Sequence, residues 1–273
     1  MDWLTEPFAL DLMQRALIAG ALAAVTTAVV GTWVVLRGLT FMGDALAHGV
    51  LPGIALGVVL GFNLTLGAAV SALAMVAGIN LVHRRSRLTE DTGIGLLFVG
   101  MLAVGVVIIS RSASYAGSLT DILFGDALGV TGNDLVVLAI TLAVVLATTV
   151  VFFRAFVVLS FNDQKAEMLG LRPRLAHILM LTLVTMAVVA SFQTVGTLLV
   201  FGLLVAPPAT ASLIARRVPA MMVVAALLGT MAVAAGLSGS DHAGTAASAT
   251  IAVVAVAFFF VVLMLRPASG VRR

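Results

Sequence analysis

The sequence predicts an all-α, polytopic membrane protein with about nine transmembrane helices. Three observations carry that expectation. The chain is 62% hydrophobic and only 10% charged over 273 residues. Its mean hydropathy is +1.20. Apolar runs of about 20 residues, the length that crosses a hydrocarbon core, recur between charged residues, glycines and prolines.

The first expected span, 14–36, follows an acidic N-terminal stretch, MDWLTEPFALD. That stretch lacks a basic n-region and a small-residue cleavage site, so we expect the span to be retained rather than removed. The second, 42–62, opens on GDALAHGVLPG; the third, 64–83, ends at Arg84 and Arg85. Spans 93–110 and 133–153 follow, bounded by Arg111 and Arg154. A polar connector, FNDQKAEMLGLRP (161–173), separates them from 174–192 and 194–214. The last two spans, 219–237 and 245–265, end at Arg266. With no long linker and no Pro-, Gln- or Ser-rich tract, a single transmembrane domain over 1–273 is expected. GDAL occurs at both 43–46 and 125–128, but the flanks do not align as a repeat.

Basic residues set the expected orientation, because short loops rich in them stay in the cytoplasm. Arg84, Arg85 and Arg87 form one cluster, and Arg154, Lys165, Arg172 and Arg174 a second. Arg216 with Arg217, and Arg266 with Arg272 and Arg273, complete the set. If nine spans alternate, all four clusters fall on one side. The C-terminus is then cytoplasmic, the N-terminus extracytoplasmic, and 111–132 and 238–244 are external loops. The net charge of +3 is explained by these clusters and gives no nucleic-acid-binding face. The absence of cysteine excludes thiolate metal sites and disulfides.

Against this apolar background the ionisable residues stand out. A carboxylate at bilayer depth costs about 2.5–3.5 kcal/mol on insertion scales, which makes each such group a functional candidate. Asp44 and His48 lie four residues apart, on one helix face, and a carboxylate with an imidazole suits a divalent first-row metal. The pair is an incomplete ligand set; water, a backbone carbonyl or a second copy of the chain would supply the rest. Spacing alone leaves open a plainer alternative, in which Asp44 caps a helix N-terminus and His48 hydrogen-bonds a neighbour. Pro52 removes an N–H and frees the His48 carbonyl if one helix runs through it. Ala45, Gly49, Gly53, Gly57 and Gly61, each four apart, form a ridge of small residues that permits close helix approach.

Three further segments are polar or interrupted. VGTLLVFGLLVAPPATASLIARR (195–217) carries Pro207 and Pro208 inside an apolar run, consistent with a broken helix lining a pathway or with a packing kink. The connector is helix-friendly, with Asp163 and Glu167 a turn apart and Gly170 and Pro173 as stop signals. It reads as a short cytoplasmic helix that either docks a partner or merely connects. Asp241 and His242 in SGSDHAGTAAS are placed to meet an arriving cation, although adjacent residues seldom chelate together.

The stretches GDALAHGVLPGIALG, ILFGDAL, NDQKAEMLGL, VGTLLVFGLLVAPPATA and SDHAGTAAS occur in one order across 14–265. In that order they resemble the permease subunits of the ABC-type zinc and manganese importers. The resemblance implies a type II importer permease in the bacterial plasma membrane, working as a homodimer with two cytoplasmic ATP-binding subunits. It also implies an extracytoplasmic metal-binding protein that delivers the ion. Asp44 and His48 match the family's GDxxxH residues, which bind the ion in the translocation pathway. Asp163 and Gly170 match the recurrent connector residues that couple to ATP hydrolysis, with Glu167 beside them. HAGTAAS departs from the family's PSGA-like run, which leaves a role for His242 open.

The chain has no GxxxxGK[ST] phosphate loop and a single lysine, Lys165, so it is expected to be a transport subunit rather than an enzyme, with no cofactor of its own. Its cargo would be zinc or manganese, held less well as acid protonates His48. Two other transport readings remain: an ion-gradient-driven secondary carrier, or an ABC permease for an iron chelate or cobalamin. An intramembrane metalloprotease is disfavoured, since HExxH is absent.

Overall fold

The structure is a computed structural model and describes residues 11–85, 90–110, 129–161 and 163–266. Ten helices account for nearly all of these residues, and no strand occurs among them. In chain order they are α1 (Asp11–Leu36), α2 (Thr40–Gly49), α3 (Leu51–Leu60), α4 (Leu64–Arg85), α5 (Glu90–Ile109), α6 (Gly132–Phe161), α7 (Asp163–Met168), α8 (Pro173–Ile214), α9 (Val218–Ala243) and α10 (Ala247–Leu265). Among the described residues eight segments are long and apolar enough to cross a membrane, α2 and α3 together making one of them. The shorter Leu199–Ile214 limb of α8 is a ninth apolar helix.

Local chemistry explains the ends. Thr131 and Asp134 exchange hydrogen bonds at the start of α6, the Thr131 N–H and hydroxyl donating to the Asp134 carboxylate and the Asp134 N–H to the Thr131 hydroxyl. This capping box satisfies donors that begin a helix unpaired. Asn63 Oδ1 accepts from the N–H groups of Thr65 and Leu66 and so starts α4. Gly61 and Gly244 end α3 and α9 in the left-handed conformation, at φ 72° and 61°.

Two expected boundaries move. Span 133–153 lengthens to Phe161, because VFFRAFVVLSF continues the helix and Arg154 does not interrupt it. The expected external loop 238–244 is instead the last turn of α9. Its serines bond within the chain, Ser238 to the Ala234 carbonyl and Ser240 to the Thr245 carbonyl, so nothing stops the helix before Gly244. The pair 174–192 and 194–214 are two helical limbs, as expected; α8 covers both, and they meet across a kink at Gly196, at φ 77°, ψ 158°. That conformation is open to glycine almost alone. The expected break at Pro207 and Pro208 does not occur there: the helix runs through both.

α1 is the central post, packed on α8, α9 and α6. Trp33 is fully buried near its end, edge-on to Phe153 and Phe156 of α6 at 5.6 and 5.5 Å. Pro208 cannot donate to the Leu204 carbonyl, and α1 closes over that oxygen at Gly31, where a Cβ would overlap it. Both prolines are buried, Pro208 against Gly31 and Pro207 against Gly229 of α9. The small-residue ridge of α2 and α3 meets α4 as expected. A Cβ on Gly53 would overlap the Gly67 carbonyl, and one on Gly67 would overlap the Gly53 carbonyl. α5, α6 and α10 carry outward apolar faces, among them Leu96, Val99, Val150, Val151 and Phe260, suited to lipid.

The reciprocal approach of Gly53 and Gly67 is expected to tolerate no side chain. Gly53→Ala should lower the unfolding midpoint in detergent, by the equivalent of about 1–3 kcal/mol of overpacking. Gly100, which has open space beside it in α5, should accept alanine without loss or with a small gain in helix stability. Thermal unfolding of the two variants side by side checks the contrast.

Candidate metal-ion site

α2 begins at Thr40 with Leu39 as its cap residue, and no side chain caps it. Asp44 therefore lies a full turn inside the helix and does not serve as an N-cap. One turn later, on the same face, His48 Nε2 stands 3.4 Å from Asp44 Oδ1. Both side chains are 24% exposed, enough to be reached but mostly enclosed. The rest of the imidazole is held by protein: Phe98 of α5 meets it edge-on at 5.5 Å between centroids. His48 Nδ1 is buried without a hydrogen-bond partner among the described residues. So neither half of the plainer alternative holds, since Asp44 is no cap and that nitrogen bonds no neighbour.

The separation suits a shared cation. Two ligand bonds of about 2.1 Å that enclose a near-tetrahedral angle span about 3.4 Å. No group of three or more His, Cys, Asp or Glu able to hold an ion occurs among the described residues, so among them Asp44 and His48 have no third such side chain beside them.

The backbone at this point breaks. α2 ends at Gly49 and α3 restarts at Leu51, with Pro52 in the first turn of α3, where its missing N–H costs nothing. The expected helix kinked at Pro52 is thus interrupted at one residue, Val50, which keeps helical angles (φ −77°, ψ −19°), and α2 and α3 still make one span. The His48 carbonyl, expected to be open, is paired with the Val50 N–H. The next carbonyl, Gly49, accepts the Ser71 hydroxyl of α4 at 2.7 Å in a buried setting. Sequence reading missed Ser71. Its only signal there was a place on the α4 stripe Gly67, Ser71 and Met75, spaced four apart.

The other candidates lie elsewhere. Asp241 and His242 sit on α9, about 100° apart around the helix axis, so they do not face one ion together. The His242 Nδ1–H donates to the Ser238 carbonyl at 2.8 Å. The 125–128 copy of GDAL lies outside the described residues, as do Asp121 and Asp126.

The connector forms α7. Its end is a Schellman motif: the Leu171 N–H reaches the Ala166 carbonyl and the Gly170 N–H the Glu167 carbonyl, both at 3.0 Å. Gly170 has φ 68° and Arg172 φ 46°. Ala166 is buried, whereas Met168 is 87% exposed beside an exposed Leu169. Glu167, Gly170, Arg172, Pro173 and Arg174 line a cleft of about 430 Å³ next to these apolar side chains. Asp163 opens the helix.

Comparison with known proteins follows the same lines. A family model described as the ABC 3 transport family matches residues 9–266. The manganese transport system membrane protein MntC of Listeria monocytogenes is 35% identical over 258 residues, covering 94% of this chain and 92% of that protein. The chelated iron transport system membrane protein YfeD of Yersinia pestis is 36% identical over 265 residues, covering 96% and 88%. Among solved structures, PsaBC from Streptococcus pneumoniae in complex with Fab matches with a TM-score of 0.86 and 31% identity, over 97% of this chain and 96% of that chain.

The Phe98 ring is expected to shield His48. In the purified protein, diethyl pyrocarbonate should modify the exposed His242 faster than His48, and Phe98→Ala should raise the His48 rate without changing that of His242. Peptide mass spectrometry resolves the two sites.

Proposed function

This chain belongs to the ABC 3 transport family, and we propose that it is the membrane-spanning subunit of an ATP-driven importer of a divalent transition-metal ion. Manganese is the first choice of cargo and zinc the second. The choice of manganese rests on the printed function of MntC, since a carboxylate and an imidazole accept either ion. One observation carries the reading: the Asp44 and His48 side chains lie one turn apart inside a helix, spaced for a single cation, and neither is consumed as a cap or by a neighbouring helix.

In this reading an incoming ion sheds part of its hydration shell and takes Asp44 Oδ1 and His48 Nε2 in exchange. The carboxylate supplies charge and the imidazole a softer lone pair. A second copy of the chain completes the ligand set across a two-fold axis. The ion reaches the pair from an extracytoplasmic metal-binding protein and leaves toward the cytoplasm. The basic clusters support that polarity, with the C-terminus inside and the N-terminus outside.

Two ATP-binding subunits dock on α7. Its apolar tip, Met168 and Leu169, and the cleft with Arg172 and Arg174 offer them a mixed surface. Gly170 keeps α7 short and turned, because a residue with a Cβ pays about 1–2 kcal/mol in that left-handed conformation.

Co-expression with the ATPase and the metal-binding protein, followed by ATP-dependent uptake of manganese, zinc and ferrous iron, tests the proposal. Asp44→Asn and His48→Ala should each reduce uptake to background while the complex still assembles; native uptake by both variants would remove the pair from the pathway. Flux by the purified chain alone, driven by an ion gradient in liposomes, would favour a secondary carrier instead.

Gly170→Ala should lower ATP hydrolysis per assembled complex. Gly170→Asn should lower it less, since asparagine tolerates the left-handed region.

A further inference from the structure

The break between α2 and α3 falls at Val50, two residues after His48, and its repair comes from another helix. An α-helix that stops within an apolar interior leaves carbonyl oxygens without their i→i+4 donors, and no water is at hand to replace them. At this break the Gly49 oxygen receives the Ser71 hydroxyl at 2.7 Å, across 22 residues of sequence. Ser71 is itself buried, and its neighbours on α4 fix its position. Gly67 lies backbone to backbone with Gly53, and Met75 fills the space beside Gly49. The hydroxyl therefore has one partner, and that partner is the peptide joining the last turn of α2 to the break.

His48 has few other restraints. Its ring touches Phe98, its Nε2 faces Asp44, and its Nδ1 makes no hydrogen bond. In most metal-binding histidines the second ring nitrogen donates to a carboxylate or carbonyl, which fixes how the ring is aimed. Here that restraint is absent among the described residues. The backbone next to the imidazole must then do the aiming.

We propose that Ser71 is a positioning residue for ion transport: by holding the Gly49 carbonyl it fixes the end of α2 and with it the direction in which His48 presents Nε2 beside Asp44. The inference rests on the reading of Asp44 and His48 as ion ligands. Losing the hydroxyl leaves the Gly49 oxygen unpaired and lets the last turn of α2 fray toward Val50. The Nε2 to Oδ1 separation then ceases to match one cation.

The test uses the complete permease complex with its ATPase and metal-binding protein, with manganese and zinc as the probes. Ser71→Ala should raise KM for manganese about tenfold, at the low end of what loss of an orienting partner costs a metal site, and should change the ratio of manganese to zinc uptake. Ser71→Cys, nearly the same size with a weaker donor, should fall between serine and alanine. This order follows donor strength, which a purely packing role would not reproduce.

An unchanged manganese KM and ion ratio in both variants, with any loss confined to the amount of assembled complex, would overturn the proposal. If Ser71→Ala fails to assemble, the cysteine variant alone decides, by a raised or a native KM. His48→Ala in the same assay separates the two levels. Native uptake by that variant removes the ligand reading itself. Background uptake there, with a native KM for the Ser71 variants, removes only the positioning role.

Discussion

A helix that stops inside a membrane strands carbonyl oxygens where water cannot reach them, and the fold is organised around satisfying that constraint. It arises at three places. At the α2/α3 break the Gly49 oxygen is met by the Ser71 hydroxyl. Within α8, Pro208 withholds a donor from Leu204, and α1 presses Gly31 over the exposed oxygen. At Gly196 the chain leaves helical geometry, using the one residue type without a steric penalty there. Each solution depends on a neighbouring helix approaching closely or on a residue without a side chain. The interruptions and the small residues are therefore one design problem solved jointly.

Close approach in turn locates the ion pair. With hydrocarbon on the outside there is little hydrophobic gain in bringing helices together, so packing and internal hydrogen bonds must do it. The Gly53 and Gly67 contact draws α3 onto α4, and α5 covers the other side, placing Phe98 on the His48 ring. Asp44 and His48 thereby sit in a partly enclosed setting, with polar atoms directed at each other rather than at lipid. A single methyl group at Gly53 would disturb a contact two turns away from chemistry it never touches.

The helices and the pair were legible in the sequence because each has a local cause. Apolar runs gave the spans, the four-residue spacing gave the shared face of Asp44 and His48, and the glycine ridge gave a face for close helix packing, though not which helix meets it. What was not legible depends on competition between signals. Pro207 and Pro208 looked like the break in the long apolar run, yet the helix runs through both, and at the Leu204 carbonyl that Pro208 leaves unpaired the Cα–H face of Gly31 in α1 makes a close, weak contact in place of the missing N–H. Gly196 carries no local mark that separates it from the other glycines of the chain. Residues 238–243 looked like a loop because serine, glycine and aspartate favour turns. Instead the Ser238 hydroxyl bonds back to the Ala234 carbonyl, the Ser240 hydroxyl reaches forward to the Thr245 carbonyl, and the helix lasts until Gly244. Ser71 escaped notice since a serine in a membrane helix usually bonds its own preceding turn, whereas this one reaches another helix.

The incompleteness of the pair is itself consistent with a transport role. A permanent metal centre gathers four or more ligands and locks them with further hydrogen bonds, so that the ion stays. On the proposed reading, two ligands from a single turn of one helix would hold an ion only weakly, and whatever completes the set would control affinity. If the remaining ligands come from a second copy, relative movement of the two copies changes ligand number directly, and a small displacement becomes a large change in binding. An importer needs its ion held in one state and released in the other, and a ligand can shift such an equilibrium only through its differential affinity for the two states. On the same reading, an interruption of the helix near the histidine, bridged by the one Ser71 hydroxyl, would restrain the site at a single point and leave it able to change.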